Sequence, residues 1–342
     1  MPLDEQFMHE AVVLARRGLG HTHPNPAVGC VIVKNGEIIG RGWHRKAGFP
    51  HAEVEALRAI NLPKKASGAT AYITMEPCST HGRTPPCTDA LVRAGIKRVV
   101  IGEIDPNPRH RGRALKKLCR LGIKTKSGIL REECQSLNPE FHHFMSTGLP
   151  WVIAKCGMSL DGRLTRPPGE SRWITSAVAR TDAMRLRAQV DAVLVGARTV
   201  RADNPSLTVR GIHGAKQPWR IVWAPRGKSS LYEAKIFNDA WKDRTMVLED
   251  KTLRSALRKL ARRGISKILV EGGGHTLGCL FDEMLANEAA FYIAPIIAGG
   301  KATSIGGKGI SHADLATSLL SPTWQRLGEC LVVRGKVSTS KA

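Results

Sequence analysis

The sequence predicts an α/β protein of two domains. Its 342 residues are more than one domain ordinarily holds, at roughly 150 residues each. Strand-like and helix-like patterns alternate through both halves, the pattern of helices layered on sheets. No internal repeat, low-complexity tract or long flexible linker interrupts the alternation.

The elements follow in order. Residues 4–17 place Phe7, Met8, Ala11, Val12, Leu14 and Ala15 at helical spacing, and Gly18 ends the run. Residues 27–34 and 37–44 are apolar-rich and joined by Asn35-Gly36, a dipeptide that takes positive φ at both centres, so they read as a hairpin. A helix is expected from Ala52 to Leu62-Pro63, a strand over 69–75, a helix over 87–94 and a strand over 97–103. A helix over 112–121 and a strand over 123–127 complete a three-layer α/β domain assigned to residues 1–147. The boundary falls near 147–150, at Ser146-Thr147-Gly148. The second domain, 150–342, carries strand patterns at 151–156, 191–195, 220–223, 245–248, 267–271 and 288–294. Helices fit 177–189, 252–263 and 276–286.

Composition narrows the function. Apolar residues make up 42% and charged residues 24%, ordinary for a globular protein. The stretch Met1–Phe7 carries Asp4 and Glu5 and has no apolar core, which argues against a signal peptide, and no run of about 18 apolar residues exists to span a membrane. Eight cysteines are too few for a disulfide scaffold, so a reducing cytoplasm is expected, where cysteines bind metal or fill cores. The net charge of +23 attracts phosphorylated metabolites, dinucleotides or nucleic acid, or else reflects solvated basic faces. Aromatics at 5% do not favour a single-stranded nucleic acid partner, which would need stacking platforms.

The most specific cluster is His51-Ala52-Glu53 followed by Glu76-Pro77-Cys78 and Pro86-Cys87. One imidazole and two thiolates form a three-ligand zinc site, and three protein ligands leave a fourth position for water, as catalytic sites do. His51 and Cys87 both open predicted helices, where a helix N-terminus favours thiolate. Glu53 stands two residues from His51 and matches the glutamate that moves protons in nucleobase deaminases. The remaining cysteines form no C-x2-C pair and read as small core residues. Nucleobase deaminases have two residues between their cysteines; here eight intervene, Ser79 to Pro86, including Arg83.

The second half is less legible. Strand 267–271 runs into Gly272-Gly273-Gly274 and then a helix. That loop either exposes N–H groups to a phosphate or is a plain turn. No G-x-G-x-x-G occurs, so the Rossmann fingerprint is absent. Arg187 and Arg210 read equally as ligand contacts or as solvated charges.

Taken together, HPNPAVGCVIV (23–33), HAEVEAL (51–57), EPCSTHGRTPPC (76–87), DPNP (105–108), SLDGR (159–163), GESRWIT (169–175), ADNPSLTVR (202–210) and VEGGG (270–274) resemble the RibD family of riboflavin biosynthesis. Its members fuse a diaminohydroxyphosphoribosylaminopyrimidine deaminase to a 5-amino-6-(5-phosphoribosylamino)uracil reductase. The resemblance implies a cytidine-deaminase-like three-layer domain and a dihydrofolate-reductase-like domain. It implies one Zn2+ per chain on His51, Cys78 and Cys87, with Glu53 as proton shuttle. It places Asn25, Arg83, Thr84, Asp105 and Asn107 in the deaminase pocket. For the reductase it implies substrate contacts at Lys155, Ser171, Arg187, Leu207, Arg210 and Glu271. It implies NADPH contacts at Gly157, Trp173, Thr199, Asp203, Gly273, Gly274, His275, Thr276, Leu277, Gly278 and Cys279. The partners implied are the phosphoribosylated pyrimidine and NADPH, with no membrane, and homo-oligomer formation is left open. Two departures stand out: Thr80 replaces the family's usual histidine, and Arg109-His110-Arg111 is more basic than its counterparts.

Two other readings share some of these features. A tRNA adenosine deaminase shares the zinc motif and suits the charge, but the long inter-cysteine insert and the large second domain oppose it. A non-catalytic RNA-binding protein of deaminase fold is opposed by the complete set of His51, Glu53, Cys78 and Cys87.

Overall fold

The computed structural model describes residues 2–60, 63–81, 85–164, 173–227 and 231–338. Arg83, Thr84 and Ser171 lie outside these residues. The chain divides into two compact units, Met1–Gly148 and Leu149–Ala342.

In the N-terminal unit, α1 (Leu3–Arg16) buries the six apolar side chains that its spacing selects. The hairpin forms β1 (Gly29–Lys34) and β2 (Glu37–Trp43), with Asn35 at φ 52° and Gly36 at φ 82° in the turn. Helix α2 (Ala52–Arg58) lies so close to β2 that a Cβ on Gly42 would stand 2.3 Å from the Ala52 carbonyl oxygen. There follow β3 (Thr70–Met75), α3 (Cys87–Arg93), β4 (Arg98–Glu103), α4 (Arg113–Arg120) and β5 (Lys124–Ser127). The sheet order is β2-β1-β3-β4-β5, with β3, β4 and β5 parallel. Helices α2, α3 and α4 pack on one face through Ala56, Leu91 and Leu118. On the other face α1 packs with α5 (Arg131–Ser136), around Val31, Val100 and Cys134.

Neither α5 nor α6 (Pro139–Thr147) was read from the sequence. Pro139 occupies the first turn of α6, where its missing N–H costs nothing, so it starts this helix rather than breaking one. Just before it, buried Asn138 exchanges two hydrogen bonds with the Ala27 backbone, tying α6 to the segment that enters β1.

The C-terminal unit is built on an eight-stranded sheet in the order β12-β13-β11-β6-β10-β7-β8-β9. The central strands β6 (Trp151–Ser159), β10 (Lys267–Gly272), β7 (Ala192–Gly196), β8 (Trp219–Trp223) and β9 (Thr245–Leu248) are parallel, and β11 (Glu288–Ala294) is parallel to β6. Being covered on both faces, they carry near-continuous apolar runs. Helices α9 (Leu253–Arg262) and α10 (Gly274–Asp282) cover the face bearing Val152 and Ala154. Helices α7 (Ala177–Ala188) and α8 (Ala197–Asp203) cover the face bearing Ile153, Val193 and Leu269. Ser176 and Thr252 cap α7 and α9, each accepting from a backbone N–H three residues on. The antiparallel pair β12 (Leu319–Leu327) and β13 (Cys330–Val337) closes one edge and was not predicted. Pro322 within β12 hides it, and the register shifts there, between Leu320 and Thr323.

In the N-terminal unit, Asp4 in the first turn of α1 accepts from Arg98 at 2.7 and 2.8 Å, from Lys126 at 3.0 Å and from the Tyr72 hydroxyl at 2.9 Å. The Arg98 hydrogen bonds hold its carboxyl well below the usual range. A carboxyl with a depressed folded-state pKa adds stability above its unfolded value, near 4, and loses it as pH falls toward the folded value. Asp4→Asn is therefore expected to cost about 1–2 kcal/mol at neutral pH and to lower the calorimetric midpoint of this unit by several degrees. The gap between variant and parent should narrow steadily below about pH 4. An equal gap at pH 7 and pH 3 would show that the charge is not what matters.

Candidate functional site

Three ligand atoms converge at the first turns of two helices. His51 is the residue before α2, Cys87 is the first residue of α3, and Cys78 lies just past the carboxyl end of β3. Their ligand atoms lie within 4.8 Å of one another. His51 Nδ1 is 3.6 Å from Cys78 Sγ and 3.3 Å from Cys87 Sγ. Tetrahedral zinc with ordinary Zn–N and Zn–S bonds requires N···S separations of about 3.5 Å. The donor set thus fits zinc in distance and in chemistry. The Cys87 amide donates to Cys78 Sγ at 3.2 Å. Hydrogen bonds from Cys87 and His51 bring the Cys78 thiol down to about 4 against the opposing effect of burial, while Cys87 is pushed up by its bond to Cys78.

Glu53 sits in the first turn of α2, 3% exposed, and burial raises its carboxyl above the ordinary value. Beside it lies His44, a residue that sequence reasoning missed. Its ring meets that of His51 edge-on at 5.2 Å. His44 Nδ1 donates to the Pro50 carbonyl at 3.1 Å, so its Nε2 accepts from Asn25 Nδ2 at 3.3 Å. Burial lowers the His44 pKa, which favours this neutral tautomer. A neutral, doubly bonded imidazole thus orients the Asn25 carboxamide.

The loop after β4 is held by Glu76. Its carboxylate accepts from the amides of Asp105, Gly112 and Ala114, the last two at the N-terminus of α4. Asp105 accepts from the Asn107 amide at 2.8 Å, and Asn107 from that of Arg109 at 3.0 Å. Asp105 and Asn107 are therefore set by successive turns of one loop. The two departures from the family pattern meet here, with Thr80 Oγ1 3.5 Å from His110 Nδ1.

In the C-terminal unit a cavity of about 1040 Å³ opens at the carboxyl ends of the parallel strands. Lys155, Gly157, Trp173, Arg187, Thr199, Asp203, Leu207, Arg210, Glu271, Gly273, Gly274, His275 and Thr276 all line it. Leu277, Gly278 and Cys279 do not: Leu277 is buried in the core beneath α10, and a Cβ on Gly278 would stand 2.3 Å from the backbone of Gly306 and Gly307. The α10 helix turns these positions inward, so the wall is made by its first residues alone. Among the described residues the wall carries eight basic side chains, among them Arg198, Arg201, Arg226 and Lys301, against the acids Asp203 and Glu271. That balance suits anionic ligands.

Gly273 precedes α10 at φ 57°, and a Cβ there would stand 2.6 Å from Thr199 Oγ1. Thr199 itself donates to the Gly272 carbonyl. Leu207 is held at φ 52°, a left-handed conformation that costs a branched side chain energy and marks the cavity wall. Arg187 and Glu271 form a two-pronged ion pair, Nε to Oε1 and Nη2 to Oε2, and Arg187 also donates to the Thr208 carbonyl. Lys155 Nζ is 3.7 Å from Glu271 Oε2. Burial would raise Glu271, but the charges of Arg187 and Lys155 outweigh it and bring the carboxyl to about 2. Arg187 therefore enters the cavity already neutralised by Glu271, whereas exposed Arg210 carries an open charge at its rim.

Residues 1–103 match the cytidine and deoxycytidylate deaminase zinc-binding region, and residues 150–333 match the RibD C-terminal domain. The chain is 39% identical to riboflavin biosynthesis protein RibD of Actinobacillus pleuropneumoniae, over 96% of this chain and 94% of that protein. It is 42% identical to RibD of Escherichia coli, over 88% of this chain and 90% of that one. Acinetobacter baumannii RibD superposes with a TM-score of 0.82 at 38% identity, covering 98% of this chain and 99% of the other. A diaminohydroxyphosphoribosylaminopyrimidine deaminase/5-amino-6-(5-phosphoribosylamino)uracil reductase from Thermotoga maritima superposes with a TM-score of 0.79 at 32% identity, over 98% and 99% of the two chains. Among the described residues no helix is long and apolar enough to cross a membrane. Likeness that runs through both halves excludes a lone tRNA deaminase domain and favours no RNA-binding reading; the chain belongs to the RibD family of riboflavin biosynthesis, enzymes that join a deaminase domain to a reductase domain.

Proposed function

We propose that the N-terminal unit deaminates 2,5-diamino-6-(5-phosphoribosylamino)pyrimidin-4(3H)-one. The C-terminal unit then reduces the ribosyl chain with NADPH to give 5-amino-6-(5-phosphoribitylamino)uracil. The observation that carries this reading is the three-ligand cluster of His51, Cys78 and Cys87 with buried Glu53 one turn away.

His51, Cys78 and Cys87 would hold one zinc ion, which when bound makes water a nucleophile at neutral pH. Glu53 would carry one proton from the attacking water to the ring nitrogen, and a second, from the hydroxyl so added, to the amino group that leaves as ammonia. Burial that raises its carboxyl suits a group that must hold and release a proton. Asn25, fixed by His44, and Asp105 and Asn107, fixed by the loop on Glu76, would hold the pyrimidine edge and the ribose. Arg83 and Thr84 would meet the sugar phosphate from the insert between the cysteines; guanidinium suits phosphate.

NADPH supplies the hydride in the second step. Thr199, Asp203 and the backbone of Gly273 to Thr276 would hold the dinucleotide, with a phosphate at the positive end of α10. Trp173 and Gly157 would border the nicotinamide. Lys155, Arg187, Leu207, Arg210 and Glu271, with Ser171, would hold the phosphoribosyl compound. Reduction adds one hydride and one proton, and Lys155 carries N–H bonds into the cavity beside Glu271. Cytoplasmic location follows from this metabolic role.

Anaerobic incubation with the phosphoribosyl pyrimidine, with and without NADPH, tests both halves. Ammonia should appear in either case, and NADPH should be consumed only after it. Glu53→Gln should retain one zinc per chain by metal analysis and slow ammonia release at least about 100-fold, because an amide cannot relay protons. The same variant should still oxidise NADPH when given the deaminated compound. Full ammonia release would remove Glu53 from the mechanism.

Gly273→Val tests the dinucleotide loop. Valine cannot adopt φ 57° without strain, and its Cβ would collide with Thr199. NADPH affinity, measured by fluorescence titration, should fall at least about tenfold while ammonia release is unaffected. Unchanged affinity would place the phosphate elsewhere.

A further inference from the structure

Tyr292 in β11 is 1% exposed and lines the wall of the cavity. Its hydroxyl donates to Asp182 of α7 at 2.7 Å. Arg334 of β13 donates to the same carboxylate and to the Tyr292 oxygen, the latter at 3.2 Å. The phenolic proton is thus committed to a carboxylate, and burial together with Asp182 raises its pKa. The phenol is therefore a poor acid at working pH, and its hydroxyl is turned to structure. What it offers the cavity is the ring.

Over that ring, 5.5 Å from its centroid, lies the Lys155 ammonium. Strand register explains the meeting. In the parallel β6/β11 pair, Lys155 stands opposite Ala290, and Tyr292 stands opposite Gly157. Both opposing residues are too small to separate the two long side chains, so Lys155 and Tyr292 meet diagonally on one face of the sheet. Glu271 on β10, the strand on the other side of β6, presents its carboxylate 3.7 Å from the same ammonium. The lysine head is bracketed by a carboxylate on one neighbouring strand and a π-face on the other. Arg334 lies 6.0 Å from the centroid of the same ring.

A lysine head on a four-carbon stem has many rotamers, and the carboxylate that would anchor it is already occupied by Arg187. A second anchor is needed to keep Nζ at one place in the cavity. We propose that Tyr292 is a positioning residue of the reductase: its ring fixes the Lys155 ammonium toward the substrate, and the Asp182–Arg334 pair fixes the ring. The role rests on the reading of this unit as a reductase with Lys155 at its substrate.

The test is steady-state reduction of supplied deaminated compound by the full chain and NADPH. Residue 292 is replaced by phenylalanine and by its 4-fluoro, 3,5-difluoro and 3,4,5-trifluoro derivatives, and Tyr292→Leu is made alongside. Fluorine drains the π-face while barely changing ring shape, so a purely structural ring would be indifferent to it. Phenylalanine should retain reductase kcat to within about threefold. Stepwise fluorination should lower kcat progressively, to about tenfold at three fluorines, and leucine should fall at least as far. The KM for NADPH and the rate of ammonia release should stay constant along the series. A flat kcat across the fluorinated series would overturn the role of the ring, as would a phenylalanine variant as slow as leucine; the fluorinated series decides even where leucine fails to fold. No NADPH oxidation by the wild-type chain would instead overturn the reductase reading itself, and this role with it.

Discussion

The chemistry of both units depends on one constraint: side chains inside a covered parallel sheet must be apolar, so polar groups gather where the strands end. In the N-terminal unit Glu76 and Cys78 follow β3, and Asp105 and Asn107 follow β4. In the C-terminal unit Glu271 lies near the end of β10, Gly196 ends β7, and Ala224 to Gly227 follow β8 into the cavity wall. Helices begin at the same rims, so unpaired N–H groups face the same space. Two residues depart from this: Arg220 inside β8, which is buried and paired with Asp239, and Lys155 inside β6, which reaches the cavity on a long stem. An ammonium in that position requires partners on both neighbouring strands, and Glu271 and Tyr292 supply them.

The Arg187–Glu271 pair is the costliest of these arrangements. Both groups are largely removed from water, and removing either would strand the other charge, a loss of about 3–5 kcal/mol. Its geometry is two-pronged and its remaining donor meets the Thr208 carbonyl, which is what a buried pair needs to break even. Such a pair adds little net stability but fixes α7 against β10 and sets one wall of the cavity. The basic excess of that wall then comes from residues around the rim rather than from Arg187.

Legibility in the sequence followed distance along the chain. The candidate zinc ligands and Glu53 fall within residues 51–87, so the residue types and spacing that the cluster brings together stand close in the sequence. The hairpin was equally local, because Asn35-Gly36 fixes its own turn. His44 was invisible because a histidine at the end of an apolar strand looks like any surface residue; only folding places it between Asn25 and His51. Glu76 was read as part of a motif, yet its work is to hold a loop about thirty residues away. Tyr292 gave no signal at all, because its partners Lys155, Asp182 and Arg334 come from three separate elements. Helices α5 and α6 are short, so neither carries a long periodic pattern, and α6 begins at a proline. Strand β12 is exposed on both faces and carries a proline, so neither alternation nor burial marked it.

Two buried glutamates show how the same side chain is assigned opposite work. Glu53 is buried beside His51, Cys78 and Cys87, and burial outweighs the opposing pull of His51, so its carboxyl is raised. Glu271 is also largely enclosed, but Arg187 and Lys155 outweigh burial and its carboxyl is lowered. The first environment suits a group that must gain and lose a proton; the second suits a group that must stay charged and hold its neighbours still. The difference lies in the neighbours, not in the residue or its depth. Within one chain, burial beside Cys78 raises one glutamate in the deaminase unit. Cations beside another make a fixed anchor at the reductase site, and that anchor leaves Lys155 as the group whose protons face the cavity.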